Sequence, residues 1–290
     1  MKKWVFWLVI LLLLGYEAIH TKPGTTPEIK ERAPGQAMAA DPRRTNLTVI
    51  DQEQVYEGSL LLVNKQYAVH KGAVQADVVN LWDQEELVQG YGLFDTTVKL
   101  SQSVARKFVL MVAAAAEDGV MHFMVSSGYR DEEEQQQLYE DKGAEYALPP
   151  GHSEHNLGLS LDIGSTEAAM SSAPEGTWLK NHAADYGFTL RYPKDKVSIT
   201  GIQYEPWHFR YVGLPHSLIM QEKNFTLEEY LGYLSEEGSI SAAIAGEAYE
   251  INYYPISGYT SIPVPAERHY EISGNNMDGV IVTVFPGNTK

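Results

Sequence analysis

The sequence predicts an α+β fold followed by a small β-rich C-terminal extension. Three patterns carry that prediction. Residues 98–117 place Val104, Phe108, Met111, Val112 and Ala115 at three- and four-residue steps, the spacing of one helix face. Residues 157–163 alternate strictly: Leu157, Leu159, Leu161 and Ile163 take one face of a strand, and Gly158, Ser160 and Asp162 take the other. Beyond Ser239 the composition turns to Tyr, Ile, Val, Pro and Gly, which reads as strands at 247–255 and 268–285.

The elements follow in order. Lys2 and Lys3 precede an apolar run from Trp4 to Leu14, the pattern of an export signal. Eleven helical residues span about 16 Å, short of the ~30 Å hydrocarbon core. No small-x-small cleavage site directly follows, so residues 1–20 read as an uncleaved signal-anchor or a cleaved signal. That reading expects a protein at the cell membrane with its body outside. Residues 21–53 hold Pro23, Pro27, Pro34 and Pro42 without a period, and read as a flexible linker. The main domain is expected over 54–238 and the β extension over 239–290. Within the domain, 54–70 reads as strand with a turn at Asn64-Lys65, and 121–126 as a short strand. Residues 131–141 read as a polar helix with acids in its first turn, where the helix dipole favours them. Residues 178–186 read as helix ended by Gly187, 207–212 as an alternating strand, and 225–235 as a helix with Thr226 and Glu229 at capping-box spacing.

Composition removes whole classes of function. The chain has no cysteine, so disulfides, thiolate zinc sites and thiol nucleophiles are excluded. A net charge of −16 argues against a nucleic-acid partner, which needs a basic face against the phosphates.

Three segments concentrate polar residues: Ser127-Gly128-Tyr129-Arg130, Ser153 through Asp162, and Glu205 through Arg210. His155, Asp162 and His208 make a two-histidine, one-carboxylate set, the ligand number of a catalytic zinc that keeps a fourth position open. His155 and Asp162 are seven residues apart and would lie on opposite faces of one continuous strand. A turn between them is required, and Gly158 permits one. Glu205 is the candidate general base, and Pro206 biases it to an extended conformation, unlike the helical H-E-x-x-H arrangement. Arg130 is the candidate clamp for a carboxylate or oxyanion. Tyr129 and Trp207 are expected to wall the pocket, and His152 to line the cleft without ligating. Each residue alone reads as an ordinary polar or packing residue. Spacing leaves the joint site and a purely structural reading both open.

These segments resemble the VanY-type D-alanyl-D-alanine carboxypeptidases of the LAS metallopeptidase superfamily, whose pattern is S-G-Y-R, then S-x-H-x-x-G-x-[AS]-x-D, then E-x-W-H. The chain matches at Ser127 to Arg130, at Ser153, His155, Gly158, Ser160 and Asp162, and at Glu205, Trp207 and His208. One departure is Ser160, where many relatives carry Ala; little consequence is expected. The resemblance implies a hedgehog/D,D-peptidase-like antiparallel sheet with packed helices. It also implies Zn2+ on His155, Asp162 and His208, and Glu205 as base. Arg130 would hold the scissile carbonyl or the terminal carboxylate, with Gln135 and Ser153 near the peptide terminus. The implied substrate is a peptidoglycan precursor pentapeptide ending in D-Ala-D-Ala, and the implied role is in glycopeptide (vancomycin) resistance. An L,D-carboxypeptidase, a D,D-dipeptidase or a non-catalytic peptidoglycan-binding module remains open. A serine-type D,D-peptidase needs S-x-x-K and K-T-G elements, which this sequence lacks.

Overall fold

A computed structural model of the chain describes residues 26–31, 45–143 and 147–287. The expected signal-anchor lies outside the described residues, and so does much of the expected linker.

In chain order the strands begin with β1 (Glu28–Glu31), β2 (Thr45–Ile50), β3 (Val78–Asn80), β4 (Gly92–Leu93) and β5 (Lys99–Ser101). Helix α1 (Gln102–Glu117) leads into β6 (Phe123–Ser127), α2 (Glu132–Lys142) and β7 (Ser160–Ser165). Then come α3 (Pro174–His182), β8 (Phe188–Leu190), α4 (Val197–Thr200), β9 (His208–Tyr211), α5 (His216–Lys223) and α6 (Leu227–Glu237). Five strands follow: β10 (Ser239–Ile244), β11 (Glu247–Pro255), β12 (Thr260–Pro265), β13 (Tyr270–Gly274) and β14 (Gly279–Val284).

The central sheet runs β4-β6-β7-β9-β8. Its three long pairings are antiparallel, and only the two-residue β4 joins parallel. Helix α1 forms where the sequence demands it. Ser101 caps its first turn through Val104 N, and Val104, Phe108, Met111, Val112 and Ala115 are all buried. That face packs with Phe123, Val125, Leu161, Ile163 and Phe209 of the sheet, and the Phe108 ring meets Tyr91 edge-on at 4.7 Å. The expected strand over 157–163 is shortened: Leu157 ends a 3-10 turn, Gly158 is left-handed and the strand starts at Ser160, yet all four aliphatic residues are buried and Asp162 keeps partial exposure on the other face. Thr226 and Glu229 close the expected capping box on α6, and Asp131 with Glu134 forms another on α2.

Two further expectations are corrected. Residues 54–70 are not a strand. Gln52–Tyr56 is a 3-10 turn, and Leu60 to Val63 run as a buried connection whose backbone is bonded by the extension and by Arg210. Leu60 N donates to Ser273 Oγ at 2.9 Å, Leu62 N to Asn275 O at 3.1 Å, and Asn276 Nδ2 to Leu62 O at 2.8 Å. The linker over 21–53 also contains structure. β1 pairs antiparallel with β10, and β2 pairs along the whole of β12.

The C-terminal strands form a second sheet, β1-β10-β11-β14-β13. It shares a core with the preceding helices: Leu218, Ile219, Tyr230 and Leu234 pack with Ile240, Ile251, Tyr253 and Ile281, and Leu60 and Leu62 join them. The extension is therefore welded to α5, α6 and the 60–63 connection rather than appended at residue 239.

Candidate active site

Local backbone chemistry brings the three polar segments together. At the end of β6, Gly128 lies so close to β5 that a Cβ would sit 2.1 Å from the Lys99 carbonyl oxygen, and Tyr129 N donates to that same oxygen. The Gly128 carbonyl then accepts a hydrogen bond from His155 Nδ1. Ser153 caps a single 3-10 turn, Glu154–Leu157, and Gly158 ends it in the left-handed region at φ +81°. This is the required turn: it swings His155 back over the polar face that carries Asp162. Strands β7 and β9 are neighbours in register, with Asp162 opposite His208. The turn after Pro206 closes by His208 N donating to Glu205 O at 3.2 Å, which returns Glu205 beside the same point.

His155, Asp162 and His208 offer ligand atoms that all lie within 4.8 Å of one another. Asp162 Oδ1 stands 3.3 Å from His155 Nε2 and 3.2 Å from His208 Nδ1. The two rings are nearly perpendicular, with centroids 4.9 Å apart. Burial works against charge on Asp162, yet the two imidazoles hold its carboxyl well below the usual carboxylate range. Burial, aided by the Arg130 charge, lowers His155 and keeps it neutral. Burial also opposes charge on His208, but Asp162 and Glu154 outweigh it and push its pKa up to about 9.

The donor set fits a metal ion. Asp162 Oδ1 is buried and meets neither ring nitrogen with hydrogen-bond geometry, which leaves a dry carboxylate oxygen unsatisfied by protein. His155 has Nδ1 committed to a carbonyl and so presents Nε2 as a lone pair, the usual outer support of a metal-bound imidazole. Two imidazole nitrogens and a carboxylate oxygen suit zinc.

The carboxylate of Glu205 stands 3.7 Å from His208 Nδ1. Burial raises its pKa, Asp162 adds to that, and His208 and Arg130 oppose it. Arg130 is fixed on three sides. Its Nε donates to Gln135 Oε1 at 3.0 Å, Nη1 to Ser127 Oγ at 2.6 Å and Nη2 to Ser153 Oγ at 3.5 Å. Gln135 is itself held by Leu148 O at 2.6 Å. The guanidinium faces Asp162 Oδ2 at 3.8 Å, so it borders the His155–Asp162–His208 cluster. Gln135 and Ser153 thus hold the arginine and lie beside the same pocket.

The remaining candidates differ. Trp207 is 42% exposed and lines a groove of about 250 Å3 with Ser126, Ile163, Gly164 and Met170. Tyr129 is half-buried, and the charges that act on its phenol are Asp131, Lys99, Glu134 and Glu132, none of them in the His155–Asp162–His208 cluster. His152 bonds to Asn64 O at 2.9 Å and stands outside the ligand cluster. Sequence reasoning missed Glu154, Arg191 and Arg210, a fully buried ion-pair network against His208. Arg210 pairs with Glu154 at 2.7 Å. The available signal was an arginine in the middle of the apolar strand His208–Tyr211, since such an arginine demands a buried acid. Ser160 is not idle either, because its buried hydroxyl donates to Glu154 Oε2 at 3.2 Å.

Residues 97–214 match the family model VanY: D-alanyl-D-alanine carboxypeptidase. Across 100% of its length the chain is 52% identical to a D-alanyl-D-alanine carboxypeptidase of Enterococcus faecium, covering 98% of that protein. Among solved structures it resembles the vancomycin-resistance D,D-dipeptidase VanXYg, crystallised with a D-Ala-D-Ala phosphinate analogue. The TM-score is 0.73 at 34% identity, over 83% of this chain and 99% of that one. It also resembles a VanY D,D-pentapeptidase from a VanB-type resistance cassette, crystallised with Zn(II). There the TM-score is 0.51 at 30% identity, over 60% of this chain and 99% of that one.

Proposed function

The chain belongs to the VanY family of D-alanyl-D-alanine carboxypeptidases, and from that premise we propose that it is a zinc-dependent D,D-carboxypeptidase. It removes the terminal D-Ala from peptidoglycan precursor pentapeptides ending in D-Ala-D-Ala. The observation that carries the reading is the convergence of His155 Nε2, Asp162 Oδ1 and His208 Nδ1 beside the Glu205 carboxylate.

His155, Asp162 and His208 would hold the zinc. When bound, zinc supplies Lewis acidity, polarising a carbonyl and making water acidic enough to react near neutral pH. The protein's own groups do the rest. Glu205 takes a proton from the attacking water and delivers it to the leaving D-Ala amine, so that one peptide bond and one water become a carboxylic acid and an amine. Burial of Glu205 suits this double task, because a raised pKa brings the group closer to the working pH. Arg130, braced by Gln135, Ser127 and Ser153, presents its guanidinium toward the carbonyl oxygen or the terminal carboxylate. Preorganisation by three acceptors removes the cost of orienting that charge during the reaction. Trp207, partly exposed and next to His208 in the chain, would contact the peptide.

The proposed setting is the outer face of the cell membrane, with residues 1–20 as anchor or export signal. Loss of the D-Ala-D-Ala terminus there would contribute to glycopeptide resistance. Likeness to a D,D-dipeptidase over nearly the whole of that protein supports a second reading, cleavage of free D-Ala-D-Ala. Mass spectrometry of products from pentapeptide, tetrapeptide and free dipeptide separates the two. The proposal expects pentapeptide to yield tetrapeptide plus one D-Ala, with the dipeptide and the tetrapeptide cleaved far more slowly. Faster cleavage of the dipeptide favours the second reading, and preferential cleavage of the tetrapeptide points to an L,D-carboxypeptidase.

A further inference from the structure

We propose that Glu154 is a positioning residue for the metal centre: clamped by Arg191 and Arg210, its buried carboxylate holds the His208 ring so that Nδ1 faces Asp162. The proposal rests on the reading of His155, Asp162 and His208 as the zinc ligands.

The carboxylate is divided between two tasks. Oε1 accepts from Arg191 Nε at 2.8 Å and from Arg210 Nη1 at 2.7 Å. Oε2 faces His208 Nε2 at 3.4 Å and accepts from Ser160 Oγ at 3.2 Å. The Glu154 and Arg210 side chains are 0% exposed and that of Arg191 is 1% exposed. Neither arginine is free to swing. Arg191 donates Nη1 and Nη2 to the two Glu228 oxygens at 2.9 and 2.7 Å. Arg210 donates Nη2 to the carbonyls of Ser59 and Leu61 at 2.9 and 3.0 Å. Two acids and two arginines thus form a neutral, saturated lattice behind one histidine.

A lattice of this kind gives little net stability, because desolvating four charges offsets their attraction. What it supplies is a rigid acceptor. An imidazole whose outer N–H rests on a fixed carboxylate has its tautomer set, its ring aimed and its other nitrogen made a better donor. His155 receives the same service from the Gly128 carbonyl, which carries no full charge. The ring of Tyr192, 4.9 Å from that of His208, adds packing against the histidine. The Arg210 bonds to Ser59 and Leu61 carry the constraint further, into the connection that the C-terminal extension holds in place.

The test measures zinc affinity by chelator competition on metal-free protein, alongside thermal unfolding and separate KM and kcat. Glu154→Gln preserves volume while removing the charge. The expected result is a folded protein that binds zinc roughly 10- to 100-fold more weakly, with kcat reduced and KM for the pentapeptide unchanged. Glu228→Gln loosens Arg191 and leaves the Glu154 carboxylate in place, and is expected to lower the melting temperature with a clearly smaller loss of zinc affinity than Glu154→Gln. Wild-type zinc affinity in folded Glu154→Gln overturns the proposal, and so does an equal loss in Glu228→Gln. If Glu154→Gln does not fold, the wild type decides. In the zinc-loaded protein with 15N-labelled histidine, the His208 ring is expected to be protonated at Nε2 and metal-bound at Nδ1; the reverse assignment overturns the proposal. Failure of the wild type to bind zinc would instead sink the parent reading.

Discussion

Gly128 tests whether backbone contact, and not only ligand identity, builds the site. A Cβ placed there lies 2.1 Å from Lys99 O, where real contacts do not fall below 3.0 Å. Gly128→Ala must therefore move the backbone of β5 or of the Gly128 segment apart by at least 0.9 Å, the difference between those two distances. The obstacle is a carbonyl held in its own pairing with Tyr129, so no flexible side chain can yield. Two hydrogen bonds are strained together: Tyr129 N to Lys99 O, and His155 Nδ1 to Gly128 O. At about 1 kcal/mol each, stability falls by about 2 kcal/mol. For a domain of this size that is a drop in melting temperature of roughly 4–8 °C. Loss of the outer support of a ligand histidine weakens zinc binding by roughly 10- to 100-fold. Thermal melts of the metal-free protein and chelator competition read the two effects separately. A Gly128→Ala protein with unchanged melting temperature and unchanged zinc affinity would refute the claim that this close approach orients His155.

Three further outcomes follow from the same geometry. Glu205→Gln should bind zinc as tightly as wild type while kcat falls by about 10²–10⁴, the usual contribution of a positioned general base; retained turnover would remove Glu205 from that role. Arg130→Lys keeps one charge but cannot reach Ser127, Ser153 and Gln135 at once, so kcat/KM should fall by about tenfold or more, whereas an unchanged value would make the braced fork irrelevant. Zinc affinity should depend on pH with a definite sign. In the metal-free protein His208 is raised to about 9, so at lower pH the metal must displace a proton, and affinity should rise about tenfold per pH unit up to that point. The same shift stabilises the metal-free protein at low pH and fades as pH rises from about 6.5, the ordinary histidine value, through about 9. An affinity that is flat with pH would contradict the protonated His208.

Much of the site was legible because it is written in local chemistry. The Leu157–Ile163 alternation fixes which side of β7 Asp162 takes, and Gly158 supplies the turn that His155 needs. Both histidines and the acid could be grouped from spacing and ligand chemistry once that turn was allowed. What escaped is non-local. Leu60 to Val63 have the composition of a strand, but their backbone partners are Ser273, Asn275 and Asn276, far along the chain. The four-residue β1, Glu-Ile-Lys-Glu, shows too short a pattern to announce that it pairs with β10. Glu154 escaped because charge alone does not reveal burial; only Arg191 and Arg210, brought from two other strand regions, make a buried carboxylate there tolerable.

The most direct test of the account is a zinc titration of the metal-free protein, followed by D-Ala release from a pentapeptide ending in D-Ala-D-Ala. The account predicts no release without metal, a linear rise with added Zn2+, and saturation at one zinc per chain. Release that persists after complete removal of metal, or that keeps rising well past one equivalent, would contradict a single zinc centre on His155, Asp162 and His208.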